Sequence, residues 1–245
     1  MPVAIGAGPR VSAVIAAYNE GRTIAGVIGM LRGHPLIDDI IVVNDGSTDD
    51  TAAQARAANV QVISHAVNRG KAAAIDTGIH VARHEHVLLV DADIRGLTPD
   101  VIERMITPVL AGEYGMYVAI CDRRVYWLNR LLRFFPIIGG ERMLTRNLWY
   151  RIPRQYKRMF QIEIALYFFA KQFGERMGFA VMPGLGQLIK ERKRGLWLGL
   201  WQRLSMCADI VIIAARLYVI YNAAAVLGLH ARESETIIAA EPGER

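Results

Sequence analysis

Cysteine is nearly absent from this chain. Cys121 and Cys207 are the two in 245 residues, too few for a disulfide framework and not spaced as metal ligands. Both read as core thiols in a reducing compartment, so the expected location is cytoplasmic. Residues 1–10 lack the basic start and apolar block of a secretory signal, and the apolar stretch over 11–17 is short enough for a strand. There is no Cys/His finger and no aromatic-interleaved RNA-binding strand, which argues against nucleic acid as a partner. Long apolar runs are scarce as well. The longest tract, 196–229, is interrupted by Gln202, Arg203, Asp209, Arg216 and Asn222, each expensive in hydrocarbon. Its window 208–229 is long enough to span a bilayer but carries two charges. Amphipathic helices fit better, with Trp197 and Trp201 near lipid headgroups. Residues 230–245 read as a polar tail.

What the chain does contain is apolar residues at 53% and charged residues at 21%, enough for one large domain with a sizeable core. The formal net charge of +6 is unevenly spread. Residues 1–120 carry 9 Lys/Arg against 13 Asp/Glu, residues 121–204 carry 17 against 5, and residues 205–245 carry 3 against 5. The middle segment is therefore strongly basic, at +12. Such a patch suits anionic lipid or a phosphorylated substrate.

Strand and helix signals alternate through residue 120. Strands are expected over 11–17, 40–44, 60–64, 86–90 and 117–120. Helices are expected over 22–31, from the Ser47-Thr48-Asp49-Asp50 cap to 58, over 71–83, and over 99–110 behind Thr98. Regular β-α alternation predicts an α/β fold with a mostly parallel sheet between helices. Beyond 121 the pattern loosens. Gly139-Gly140-Glu141-Arg142 reads as a turn before a helix near 145–150. A helix is expected over 162–173 and a short strand over 180–183.

The run over 86–90 ends in Asp91-Ala92-Asp93. In open α/β sheets ligands bind at the carboxyl ends of such strands. Residues i and i+2 of an extended segment share a face, so Asp91 and Asp93 are placed to converge on one cation. Hard carboxylate oxygens suit Mg²⁺ or Mn²⁺ shared with substrate phosphates.

Three further loops follow predicted strands: Ala17-Tyr18-Asn19-Glu20, Asn44-Asp45-Gly46-Ser47-Thr48-Asp49 and Asn68-Arg69-Gly70-Lys71. Together with Asp91-Ala92-Asp93 this ordered set resembles glycosyltransferase family 2, strongly over 10–120 and more loosely over 136–195. The resemblance implies a GT-A fold and a nucleotide-sugar donor, UDP- or GDP-hexose. It also implies a donor pocket of Ala17, Tyr18, Asn19, Glu20, Asp45, Gly46, Asn68, Gly70, Lys71, Asp91, Ala92 and Asp93. Asp45 would accept from the ring N–H of the base, as a carboxylate does well. Lys71 and Arg69 would meet the phosphates, and Asp91 and Asp93 would hold the metal. That ion offsets charge on the departing diphosphate.

On the acceptor side the resemblance implies Gly139, Gly140, Glu141 and Arg142 as a glycine-rich turn and Lys190, Arg192 and Arg194 as a basic loop over the phosphates. Many members carry a Glu-Asp pair whose Asp is the general base; here the pair reads Glu163-Ile164. A sugar hydroxyl wants a base, whereas a phosphate acceptor does not. The departure resembles the dolichol-phosphate mannose synthase-like subgroup, with Glu163 positioning the reactants. The expectation is a metal-dependent, inverting hexosyltransferase working on a polyprenyl phosphate at the inner face of the cell membrane. Arg123, Arg124, Arg130 and Arg133, set among Trp127, Leu131, Leu132, Phe134 and Phe135, suit that surface. The alternatives are a family 2 enzyme acting on a soluble glycan or small phosphorylated acceptor, or a non-catalytic nucleotide-sugar-binding module. Residues 17–24 hold no glycine-rich basic signature, which counts against a nucleotidyltransferase. The expected domains are 1–195, then membrane-associated helices over 196–229 and the tail.

Overall fold

β-Branched apolar runs bounded by turn residues build the centre of the molecule. The computed structural model describes residues 9–121, 141–157, 161–187 and 216–221. The chain divides into two compact units, Met1–Gly195 and Leu196–Arg245. In the first, β1 (Val11–Ala17), β2 (Ile37–Asn44), β3 (Gln61–Ser64) and β4 (His86–Asp91) pair in parallel. The remaining strands of the main sheet are β6 (Met116–Cys121), β7 (Glu141–Thr145) and β8 (Met177–Met182). The order is β3-β2-β1-β4-β7-β6-β8, with β7 antiparallel to both neighbours. A small second sheet joins β5 (Ile94–Arg95) to β9 (Gly186–Gln187).

The helices are α1 (Ile24–Arg32), α2 (Thr51–Ala57), α3 (Lys71–Val81), α4 (Pro99–Leu110), α5 (Arg146–Arg151) and α6 (Gln161–Gln172). In α1 the buried residues Ile24, Val27, Ile28 and Leu31 recur at helical spacing and cover one face of the sheet core. α4 does the same with Val101, Ile102, Met105, Ile106 and Val109, and Thr98 caps it by accepting from the Val101 N–H. α3 lies so close to the sheet that a Cβ on Gly78 would sit 2.3 Å from Val14 Cγ1.

Two local expectations are corrected. Glu141 and Arg142 do not form a turn. They open β7, a strand inserted between β4 and β6, and the turn that follows is capped by the Thr145 hydroxyl, which accepts from Leu148 N. The Ser47–Asp50 cap is built differently: Asp50 makes no side-chain cap, Asp49 Oδ1 accepts from Thr51 N at 3.0 Å, and Ser47 and Asp49 also reach across to the loop after β1. Among the described residues no helix is long and apolar enough to cross a membrane. The tract 196–229 lies outside the described residues, except for a π-helical turn at Arg216–Tyr221. Residues 123–135 and 230–245 also lie outside them.

Candidate active site

Parallel pairing brings the carboxyl ends of four strands to one edge. Ala17 aligns with Asn44, Ala16 with Asp91, and Asn44 with Ser64. The loops that leave this edge are tied to one another through backbone amides. Asn19 sits in the left-handed region at φ 55°, a conformation its short polar side chain tolerates. Its N–H donates to Ser47 Oγ at 3.0 Å, and its Oδ1 accepts from Thr48 N at 2.9 Å. Glu20 N donates to Thr51 Oγ1 at 2.8 Å, and Gly21 N to Asp49 Oδ2 at 3.1 Å. Burial works against the Asp49 charge, but the bonds it accepts from the Thr51 hydroxyl, Thr51 N and Gly21 N outweigh that and hold its pKa below the ordinary value.

Asp45 is buried beneath this edge. Its Oδ1 accepts from Arg69 N at 2.9 Å and its Oδ2 from Gly70 N at 2.7 Å. His65 Nδ1 lies 2.6 Å from the same Oδ1, and His65 Nε2 lies 3.0 Å from Thr77 Oγ1. A carboxylate only accepts, so the ring proton belongs on Nδ1. Gly46, at φ 71°, packs where a Cβ would come within 2.6 Å of Asn68 N and of the Val67 carbonyl carbon. Asp45 and Gly46 thus latch the second loop onto the third and set where Lys71 begins. Tyr18 and Asn68 are exposed at the mouth, whereas Ala17 and Ala92 turn their methyls into the core. The Ala17 carbonyl accepts from Asp45 N.

Five charged side chains from four elements meet beside this edge. Lys71 Nζ is 2.6 Å from Asp91 Oδ1 and 3.6 Å from Glu163 Oε1. Arg142 Nη2 is 3.8 Å from Glu163 Oε2, and its Nη1 donates to the Glu163 carbonyl at 3.4 Å. Asp93, 8% exposed, follows in the turn after β4. Burial opposes the charge of Lys71, yet Asp91, Glu163 and Glu141 together raise its pKa above the usual lysine value. Burial likewise pulls Arg142 down, against Glu163, Glu141 and Asp91. Glu141 is 0% exposed, and burial followed by repulsion from Asp91 raises its pKa to about 8, against the pull of Lys71. Its Oε1 has no hydrogen-bond partner among the described residues, while its Oε2 accepts a long bond from Cys121 Sγ at 3.8 Å.

The structure therefore gathers Lys71, Asp91, Glu141, Arg142 and Glu163 into one cluster, with Asp93 buried two residues beyond Asp91. Glu141 and Arg142 are buried supports under it and not an acceptor-facing turn. Ile164 is also buried, so position 164 offers no base. Gly139, Gly140, Lys190, Arg192 and Arg194 lie outside the described residues. Sequence reading gives no role to His65, Thr77 or Thr51, and takes Ser47 only as part of a helix cap and of the loop after the second strand. Nothing in a lone histidine or threonine marks it before its partners are known, although the Ser/Thr/Asp-rich run at 47–51 was a visible signal for amide binding.

A sequence profile of Glycosyl transferase family 2 matches residues 12–170; the chain belongs to this family. Glucosyl-3-phosphoglycerate synthase of Mycobacterium tuberculosis (strain ATCC 25618 / H37Rv) is 32% identical over 146 residues, 56% of this chain and 45% of that protein. The 4,4'-diaponeurosporenoate glycosyltransferase of Staphylococcus aureus (strain MRSA252) is 36% identical over 109 residues, 42% of this chain and 29% of its own. The chain thus spans less than half the length of these curated relatives. Among solved structures, glucosyl-3-phosphoglycerate synthase from M. tuberculosis in complex with Mn²⁺, UDP and glucosyl-3-phosphoglycerate superposes with a TM-score of 0.69 at 22% identity, over 86% of this chain and 80% of that one. The likeness confirms the GT-A type of α/β fold. The relatives named here do not single out the polyprenyl-phosphate subgroup.

Proposed function

We propose that the chain transfers a sugar from a nucleoside diphosphate sugar, of the uridine type, to a small phosphorylated acceptor. The observation that carries this is the charged cluster at the carboxyl end of β4, where Asp91 meets Lys71 beside Glu163 and Arg142 and a second buried acid, Asp93, follows in the next turn, in a family 2 fold. The acceptor class is supported by the similarity to glucosyl-3-phosphoglycerate synthase, whose name states a phosphoglycerate acceptor. It takes precedence over the lipid phosphate that the sequence alone suggested.

The donor set fits a divalent cation. Asp91 and Asp93 offer hard oxygens, as Mg²⁺ and Mn²⁺ prefer, and solved relatives bind Mn²⁺ or Mg²⁺ with UDP. Among the described residues no group of three or more His, Cys, Asp or Glu is arranged as a metal cage. Two carboxylates plus diphosphate oxygens are the usual arrangement for Mg²⁺. When bound, the ion supplies charge stabilisation to the departing nucleoside diphosphate. Lys71 adds a point cation at the same place, fixed by Asp91 and Glu163. Glu163, held by Lys71 and Arg142 at once, is better suited to orienting an acceptor than to taking its proton. The latched loops after β1, β2 and β3 receive the nucleoside.

Purified protein with UDP-glucose, Mn²⁺ and either 3-phosphoglycerate or a polyprenyl phosphate tests the reading. A water-soluble, phosphorylated glycoside is expected, and its anomeric configuration shows whether displacement is direct. No transfer to any small phosphorylated acceptor, across a panel of UDP-sugars, would overturn it. The basic and aromatic stretch over 123–135 favours the lipid acceptor instead, and product partitioning into butanol would establish that second reading.

A further inference from the structure

A second charged recess lies on the outer face of α3, away from the sheet. It has a volume of about 160 Å³ and is formed by Arg69, the first turn of α3 at Ala72 and Ala73, Asp76, and Arg154 and Lys157 from the segment after α5. Three cations and one carboxylate line it. Asp76 is itself divided: Trp149 Nε1 donates to its Oδ1 at 2.7 Å, Lys157 Nζ stands 3.6 Å from the same oxygen, and His80 Nδ1 stands 3.7 Å from its Oδ2. Arg69 and Arg154 have no ion pair among the described residues. α3 begins at Gly70 without a side-chain cap and without an acid in its first turn. The positive end of the helix dipole therefore adds to the same recess.

Lys157 is held in place independently of any ligand. Its side chain is 8% exposed, and its ammonium lies 4.9 Å from the Trp149 ring centroid and 6.0 Å from that of Tyr150. Burial lowers its pKa, Asp76 counters that, and the nearby Arg154 lowers it again. Like charges are thus brought together around a space large enough for a tetrahedral anion, with flexible guanidinium groups at the rim and a fixed ammonium at the base. Guanidinium groups make bidentate bonds to phosphate, and an ammonium binds it as a point charge.

We infer that this recess is a second anion site that takes a phosphate dianion, free or as the monoester of a small metabolite. Its lining includes none of Asp91, Asp93, Glu141, Arg142 and Glu163, so it is distinct from that charged cluster. Only Lys71, at the first residue of α3, turns toward Asp91. The ligand would bridge Arg69 to Arg154 and Lys157, and so tie the loop that delivers Lys71 to the segment after α5.

The test is calorimetric titration of the full chain in chelator-treated buffer, with inorganic phosphate in one arm and glycerol phosphate in the other. Binding that depends on Arg154 is expected in both arms, over and above any ester bound at the transfer centre, and UDP should not displace that part. Arg154 is exposed, so its variants should keep the fold, which a thermal melt confirms. Arg154→Ala should weaken binding fivefold or more, Arg154→Glu more still, and Arg154→Lys should retain part of it. The arm with the tighter binding identifies free phosphate or an ester as the source. An affinity within fivefold of wild type in both Arg154→Ala and Arg154→Glu would overturn the site, as would displacement by UDP. No sugar donor is present in the titration, so failure here leaves the transferase reading standing.

Discussion

Asp93 offers the clearest single-residue experiment. It is buried in the turn after β4 and belongs to the acidic pair assigned to the divalent ion. Asp93→Ala should reduce kcat by about 100-fold or more, since Lewis-acid stabilisation of the departing group is worth several kcal/mol. The melting curve should be little changed. Equal sugar-nucleotide turnover in wild type and variant, measured with Mn²⁺, would favour a binding module over an enzyme. Glu141 makes a different kind of prediction. Its pKa of about 8 in the folded chain stands above its ordinary value of 4.5, so the native state keeps a proton there that the unfolded chain has lost. Stability in metal-free buffer is therefore complete below about pH 4.5 for this group and declines as pH rises through 8. The loss is on the order of 1 kcal/mol or more. Glu141→Gln should flatten that part of the Tm-versus-pH profile, and an unchanged slope would show that another group sets it.

At the level of elements, α3 is the piece on which both charged regions depend. Its approach to β1 requires a residue without a side chain at position 78, where Val14 occupies the space a Cβ would need. Gly78→Ala should destabilise the protein by about 1–3 kcal/mol through overpacking, despite the better helix propensity of alanine. Chemical denaturation measures this, and a stabilised variant would mean that α3 can move outward freely. The parallel strands β1 to β4 and the helices between them were legible because their apolar runs are uninterrupted and their turns carry Gly, Asn and Asp. β7 was not legible. Its first two residues are charged, and they follow a Gly-Gly pair, so the local signal is that of a turn. Tertiary partners override it: Lys71 and Asp91 face Glu141, and Glu163 receives Arg142. The site shows the same division. The acids at 91 and 93 could be read from their strand-end position, whereas the His65–Asp45 contact required residues 20 apart to be folded together.

Across the whole molecule, the order β4-β7-β6 has a physical consequence for any attempt to divide the chain. β7 comes from the segment after residue 140, yet it covers the edge of β4 and alone joins β6 and β8 to the parallel strands. A fragment ending at Cys121 keeps all four loops at the carboxyl ends of the parallel strands but exposes the β4 edge and detaches β6. An exposed edge strand invites association with other chains. The fragment should therefore lack a cooperative thermal transition by circular dichroism and should aggregate, whereas the full chain melts cooperatively. A sharp, reversible melt of the fragment would show that the first half folds alone.

The grip of Asp45 on the amides of Arg69 and Gly70, with Gly46 pressed against Val67 and Asn68, bears on how this scaffold can be redesigned. Because one carboxylate anchors two neighbouring loops, a substitution that reshapes the loop after β2 also shifts the lysine that follows the loop after β3. Laboratory evolution toward a new donor should then succeed by exchanging the two segments as a matched pair, and stall when they are altered one position at a time.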